Sequence, residues 1–282
     1  MADDLQRKIE QAVKLIQSAG KMAEKKGQPV EICYSGGKDS DVILELARMA
    51  NVNYCAIYKN TTIDPPLTLK HCKENNVKIL QPKKSFIELV KEKGMPTRRA
   101  RFCCEMLKEY KVYDVAVQGI RRSESTARAK RYKQNEPIIC RIYGSKKNHV
   151  NVVLPILTWT DKDVTEFINE RHIKCHPLYY DKKGNFHVER RLGCIGCPLK
   201  SDAGVGDFLK YPKLLKKVVN AVGIWFATHP RLRSIKKFQT PYGLVAHNLF
   251  YNTLEEWEVA NDGLFGKTDW KSKLENYFHI TL

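Results

Sequence analysis

CYSGGKDSDVILEL, residues 33–46, joins two patterns of different period around a pair of glycines. Residues 29–35 (PVEICYS) form a short apolar, β-branched run that reads as a buried strand. Residues 40–50 (SDVILELARMA) repeat apolar side chains at helical spacing, with Ser40 or Asp39 as the expected cap. A strand, a Gly-Gly turn and a helix N-terminus gather backbone N–H groups and the positive end of a helix dipole at one point, which attracts phosphate. Gly36 and Gly37 let the backbone approach a ligand, and Lys38 adds a point charge.

Outward from this stretch the alternation continues. Further strands are expected at 53–58, 77–81 and 113–119, with helices at 66–76 and 85–93 and an amphipathic lead-in helix over 4–24. This order predicts an α/β fold, a Rossmann-like parallel sheet with helices on both faces, binding ligands at the carboxyl ends of its strands. The basic stretch 121–150 reads as less regular and as lining the mouth of the site, 151–171 as a strand then a helix, and 176–198 as a loop. From about residue 203 the pattern turns helical and aromatic. The expected organisation is a nucleotide-binding domain over 1–200 and a C-terminal helical subdomain over 201–282. The aromatics of that subdomain read as core, and none of the histidines is given a role.

The 282 residues are 43% hydrophobic, enough for a sizeable core. Lys plus Arg number 49 against 31 acids, a formal charge of +18 that favours a polyanionic partner such as nucleic acid. No apolar run approaches the roughly 20 residues a bilayer requires, and MADDLQRKIE lacks a signal-peptide pattern, so a cytoplasmic protein without a membrane partner is expected. Nine cysteines in that reducing setting point to metal or redox chemistry. Cys103-Cys104 and Cys194-x-x-Cys197 offer four thiolates from two loops, a donor set for a tetrahedral zinc or a [4Fe–4S] cluster. Cys33, Cys55 and Cys140 read as core residues, while Cys72 and Cys175 have no clear place.

The loop Ser35-Gly-Gly-Lys-Asp-Ser40 lacks Walker A spacing and resembles the PP-loop, S-G-G-x-D-S, of the N-type ATP pyrophosphatases, which cleave ATP to AMP and pyrophosphate and adenylate an acceptor. The resemblance implies that Ser35, Gly36, Gly37, Lys38, Asp39 and Ser40 hold the β- and γ-phosphates and their Mg²⁺. TRRARFCCEMLK (97–108), GIRRSESTARA (119–129), LPILTWTDKDV (154–164) and HPLYYDKKGNFHVERRLGCIGCP (176–198) follow in order. With the loop they resemble the phosphoadenosine phosphosulfate reductase family over residues 25–200. In that family the Arg-x-x-Glu-Ser-x-x-Arg segment faces the nucleotide. The resemblance therefore implies nucleotide contacts from Gly119, Arg121, Glu124 and Ser125, and catalytic roles for Lys38, Asp39, Arg122 and Arg128. Arg98, Arg99, Arg101, Arg190 and Arg191 flank the cysteines and are implied near the anionic substrate. In the adenosine phosphosulfate reductase branch, and in related DNA-phosphorothioation enzymes, the Cys-Cys plus Cys-x-x-Cys arrangement holds a [4Fe–4S] cluster. That makes Cys103, Cys104, Cys194 and Cys197 cluster ligands, with zinc the second occupant.

Two departures separate this chain from the reductases. Their loop is degenerate, typically Ser-Phe-Gly without the lysine, whereas Lys38 and Asp39 serve a pyrophosphate and its Mg²⁺. They also carry a nucleophilic cysteine in a Glu-Cys-Gly-type motif near the C-terminus, and here no cysteine follows Cys197. The resemblance then implies an ATP pyrophosphatase that adenylates an acceptor for sulfur transfer, with DNA favoured over tRNA as the acceptor and a sulfur donor such as a cysteine desulfurase as partner. The alternatives are a sulfonucleotide reductase of sulfur assimilation and a non-catalytic ATP-binding accessory protein.

Overall fold

The strand in front of the glycines forms where its side chains demand burial. Val30–Tyr34 (β1) has Val30, Ile32 and Tyr34 in the core. The computed structural model describes residues 2–144, 148–231, 237–251, 253–263 and 266–282. The chain divides into two compact units. One comprises Met1–Asn60, Pro65–Gln81 and Glu109–Gly193; the other comprises Thr61–Asp64, Pro82–Lys108 and Cys194–Leu282. This division differs from a single cut after residue 200, because two segments from the first half of the sequence belong with the C-terminal part.

In the first unit β1 is joined by Tyr54–Lys59 (β2), Lys78–Leu80 (β3), Val115–Gln118 (β4), Ile138–Ile142 (β5) and His149–Val153 (β6). The sheet order is β3-β2-β1-β4-β6-β5. Every pairing is parallel except that of β5 with β6. Ala2–Glu24 (α1) buries Leu5, Ile9, Ala12, Ile16, Ala19 and Ala23, a stripe three or four residues apart that a helix turns to one side. Lys38–Ala50 (α2), Thr68–Glu74 (α3), Thr126–Arg131 (α6) and Asp161–Glu170 (α7) complete the unit's helices among the described residues.

Two local expectations are corrected. Helix α2 starts at Lys38 with Gly37 as its N-cap, not at Ser40, so no side chain caps it. The less regular stretch 121–150 holds α6 and β5; residues 145–147 lie outside the described ones. Strand β5 was hard to read because it lies at the sheet edge, where Ile138 and Ile142 are exposed. Cys140 is exposed on it rather than in the core, and Cys33 and Cys55 are half-buried.

The second unit is helical. Phe86–Lys93 (α4) and Phe102–Leu107 (α5) belong to it, followed by Val205–Lys210 (α8), Pro212–Thr228 (α9), Pro241–Phe250 (α10), Leu254–Asn261 (α11) and Trp270–Phe278 (α12). Its core joins Phe86, Leu89 and Val90 of α4 to Leu215, Val218, Val222 and Trp225 of α9. Trp257 and Trp270 are buried with them, so these aromatics are core as expected. Among the described residues no helix is long and apolar enough to cross a membrane.

Candidate nucleotide site and cysteine group

The sheet order decides where a ligand can sit. From β1 the chain winds outward through β2 and β3 on one side, while β4 and β6 lie on the other. Neighbouring crossovers therefore leave in opposite directions between β1 and β4, and a crevice opens beyond their carboxyl ends. The Gly-Gly loop leaves β1 there, and Gly119–Arg121 leaves β4 there. Gly36 has φ of 78°, in the left-handed region, and a Cβ on it would stand 3.0 Å from Thr68 Cγ2. A Cβ on Gly119 would stand 2.7 Å from the carbonyl oxygen of Asp39, so only glycine lets the two loops meet.

Within the loop the Ser40 hydroxyl donates to the Gly37 carbonyl at 2.6 Å, and the Ser35 hydroxyl donates to Ser40 Oγ at 3.3 Å. The Lys38 ammonium is buried, 3.2 Å from the Asp39 carboxylate and 5.4 Å from the centre of the Tyr179 ring. Arg121 is only 1% exposed; its Nε donates to Asp39 Oδ1 at 2.6 Å and its Nη2 lies 2.8 Å from Asp161. Arg128 pairs with Glu124, and Arg191 donates to the Glu124 carbonyl. Burial first, then the positive charges of Arg191 and Arg121, hold the Arg128 guanidinium below its ordinary range against the pull of Asp39.

The expected residues thus gather unevenly. Ser35 to Ser40, Gly119, Arg121 and Arg128 meet at the crevice. Glu124 and Ser125 are engaged locally: Glu124 accepts from the Arg121 N–H at 3.1 Å and Ser125 caps α6 through the Arg128 N–H at 3.2 Å. Arg122 pairs with Asn135.

Sequence reasoning missed a buried polar group behind the loop. Asp41 accepts from the Tyr34 hydroxyl and lies 2.9 Å from His71 Nε2; burial raises its pKa. His176 Nδ1 accepts from the Leu178 N–H at 3.1 Å, which leaves the proton to Nε2, 3.2 Å from the Pro66 carbonyl. Cys175 sits against Asp41, and burial pushes its thiol up. The Tyr179 hydroxyl accepts from the N–H groups of Lys38 and Leu192, tying the first turn of α2 to the 176–198 loop. The available signal was an acid, Asp41, amid the apolar residues of α2, where a partner is required.

All four expected cluster ligands fall in the second unit. Cys103 is hydrogen-bonded to Cys104; that bond first, then burial, raises its thiol pKa, and the charge of Cys194 adds to the effect. The Cys194 thiol is raised by burial and opposed by Lys108; its Sγ is 3.6 Å from Thr61 Oγ1. Burial alone would lower Lys108, but Cys194 and Asp64 hold it above its ordinary value. Between Cys194 and Cys197, Gly196 has φ of 69°, and a Cβ there would stand 2.2 Å from Phe208 Cζ. Among the described residues no three Cys, His, Asp or Glu side chains are arranged to hold a metal ion. The donor chemistry nevertheless fits a thiolate-ligated centre, for all four cysteines lie in one unit and none is in a disulfide.

The model of the phosphoadenosine phosphosulfate reductase domain matches residues 29–200. An uncharacterized protein of Methanocaldococcus jannaschii, MJ0973, is 29% identical over 239 residues, covering 78% of this chain and 54% of its own length. A second from the same organism, MJ0066, is 29% identical over 225 residues, covering 73% of this chain and 44% of its own. The chain thus spans about half the length of these relatives. The phosphoadenosine 5'-phosphosulfate reductase of Xanthomonas oryzae pv. oryzae is 34% identical over 76 residues, 26% of this chain and 27% of that protein. Among solved structures, phosphoadenylyl-sulfate reductase from Candida auris aligns with TM-score 0.43 and 17% identity over 66% of this chain and 93% of its own. The U34-tRNA thiolase NcsA of Methanococcus maripaludis, solved with its [4Fe–4S] cluster, aligns with TM-score 0.38 and 14% identity over 78% and 81%.

Proposed function

We propose that this chain, which belongs to the phosphoadenosine phosphosulfate reductase domain family, uses its loop as an ATP pyrophosphatase that adenylates a nucleic-acid acceptor for sulfur transfer. An acceptor oxygen attacks the α-phosphorus of ATP, the α–β phosphoanhydride bond breaks, and pyrophosphate leaves. A sulfur nucleophile then attacks the acceptor carbon or phosphorus that bears this oxygen, the C–O or P–O bond breaks, and AMP leaves carrying the oxygen. The observation that carries this reading is the intact loop itself: the Lys38 ammonium beside Asp39 at the start of α2, with Arg121 and Arg128 close by. Positive charge fixed there, together with the N–H groups of the first helical turn, stabilises the charge that develops on departing pyrophosphate.

Asp39 and Ser40 would hold Mg²⁺, which supplies charge neutralisation on the β- and γ-phosphates. Cys103, Cys104, Cys194 and Cys197 would hold a [4Fe–4S] cluster, or in second place zinc, the cluster supplying a sulfur-binding or electron-carrying centre. The preferred acceptor is DNA over tRNA, and the sulfur donor a cysteine desulfurase. The 34% identity to a phosphoadenosine 5'-phosphosulfate reductase over 76 residues favours a second reading, a sulfonucleotide reductase.

One experiment separates them. Protein purified without oxygen is titrated with Mg-ATP and, separately, with adenosine phosphosulfate, following heat of binding and pyrophosphate release. ATP binding that Lys38→Ala reduces at least tenfold, with loss of pyrophosphate release, supports the adenylating reading. Tight adenosine phosphosulfate binding without ATP binding overturns it.

A further inference from the structure

Helix α3 meets the phosphate loop with two side chains of one face. Thr68 and His71 lie three residues apart, so the helix turns them to the same side, and both are buried. Thr68 Cγ2 stands 3.0 Å from the place a Cβ on Gly36 would take, against the turn itself. His71 Nε2 lies 2.9 Å from Asp41 Oδ1, in the first turn of α2. The start of α3 is held in its turn. The Thr68 hydroxyl donates to the Pro65 carbonyl at 2.8 Å and the His71 N–H to the Leu67 carbonyl at 2.8 Å. Leu67 keeps φ of 72° although it is 52% exposed. A residue other than glycine stays in that region only where the surrounding structure fixes it.

Asp41 is the buried link. Its Oδ1 takes the Tyr34 hydroxyl from β1 and faces His71 Nε2 from α3, and the His71 ring is braced edge-on by that of His176 at 5.8 Å. An acid buried among apolar residues depends on every such partner, because a lost hydrogen bond cannot be replaced by water there. Lys38, Asp39 and Ser40 precede Asp41 in the same turn. The N–H groups of Ser40 and Asp41 close that turn on the Gly37 carbonyl at 2.8 and 3.0 Å. Any shift by which Asp41 finds a new partner therefore displaces the residues of the loop as well. All of these residues belong to the first unit.

We infer that His71 is a positioning residue for anion binding at the loop: by holding Asp41 it fixes the first turn of α2, and with it Lys38 and the backbone N–H groups, in the shape that takes a pyrophosphate. His71 acts through Asp41 from behind the loop, while Thr68 seats the turn at Gly36. The role needs a hydrogen-bonding group at the place of Nε2 and no change of protonation. The inference rests on the adenylating reading only in taking pyrophosphate as the ligand of the loop.

The test is isothermal titration of the full chain with inorganic pyrophosphate and Mg²⁺. His71→Leu should weaken pyrophosphate about tenfold, and His71→Gln, whose amide N–H can reach Asp41, should stay within about threefold of the wild type. In the Asp41→Asn background, where no carboxylate is left to hold, His71→Leu should change the affinity less than about threefold. Should His71→Leu protein not fold, His71→Asn, whose amide stops short of Asp41, takes its place. Asp163→Ala, which removes a partner of the α7 cap, should melt lower yet keep wild-type affinity, so that lost stability and lost positioning are told apart. Wild-type affinity in His71→Leu, an equal loss in His71→Gln, the full effect in the Asp41→Asn background, or a wild-type chain that does not bind pyrophosphate overturns the inference. The adenylating reading fails separately: wild-type protein that binds pyrophosphate but not Mg-ATP refutes that reading and leaves the comparison of His71 variants as it was.

Discussion

His176 shows how a side chain without any sequence signal can set the behaviour of a site. Burial, then the neighbouring His71, holds its pKa below the ordinary 6.5. An imidazole harder to protonate in the folded chain than in the unfolded one contributes stability that is whole above the ordinary value. That stability is lost as the pH falls through the folded value. The thermal midpoint should therefore fall as the pH drops below about 6.5, and His176→Gln should make the fall shallower. Melting curves from pH 8 to pH 5 measure this, and identical slopes in both proteins would remove the role. His247 in the second unit is lowered by burial in the same sense, so part of the acid slope should survive in the variant. Gly36 was legible as a close-approach residue from the motif, and Gly119 only as an implied nucleotide contact; their neighbours Thr68 and the Asp39 carbonyl were not legible, because both depend on how distant segments meet.

At the scale of elements, period told more than boundaries did. The helix after the glycines, the amphipathic α1 and the strands β1, β2 and β4 were legible because apolar side chains recur at 3.6 or 2 residues. The start of α2 was not, because Gly37 caps it by conformation alone. Helix α7 is the opposite case. Thr160 and Asp163 form a capping box, and Lys8 of α1 reaches Asp163 Oδ1 at 2.9 Å. Asp163→Ala removes half of the cap and the partner of Lys8, so it should cost about 1–2 kcal/mol. Urea denaturation checks this, and an unchanged midpoint would mean that the cap is dispensable. Strand β5 escaped notice because its pattern serves an edge pairing with β6, which local periodicity does not encode.

For the whole molecule, the division into two units places the phosphate loop in one and the four motif cysteines in the other. Segment 82–108 carries Cys103 and Cys104 into the unit that holds Cys194 and Cys197, although Glu109–Gly193 intervenes in sequence and belongs elsewhere. In protein purified without oxygen, Cys104→Ser and Cys197→Ser should each lower the bound iron or zinc at least severalfold, measured by elemental analysis. A metal content unchanged in both would dismiss these thiols as ligands. The surplus of cations belongs to this scale as well. For binding of a single strand through about four phosphates, the logarithm of affinity should fall with the logarithm of salt at a slope near −3.

The amino-acid sequence by itself determined the alternation of strands and helices, the phosphate-binding turn and the stock of thiols, because these rest on local periodicity, glycine conformation and side-chain chemistry. Tertiary structure alone decided the buried Asp41–His71 pair and the engagement of Arg121 by Asp39. It also decided the assignment of 82–108 to the helical unit and the seat of Thr68 against Gly36. Each of these is a meeting of residues far apart in the chain, selected by the burial of apolar surface over the whole unit, and no local pattern carries that information.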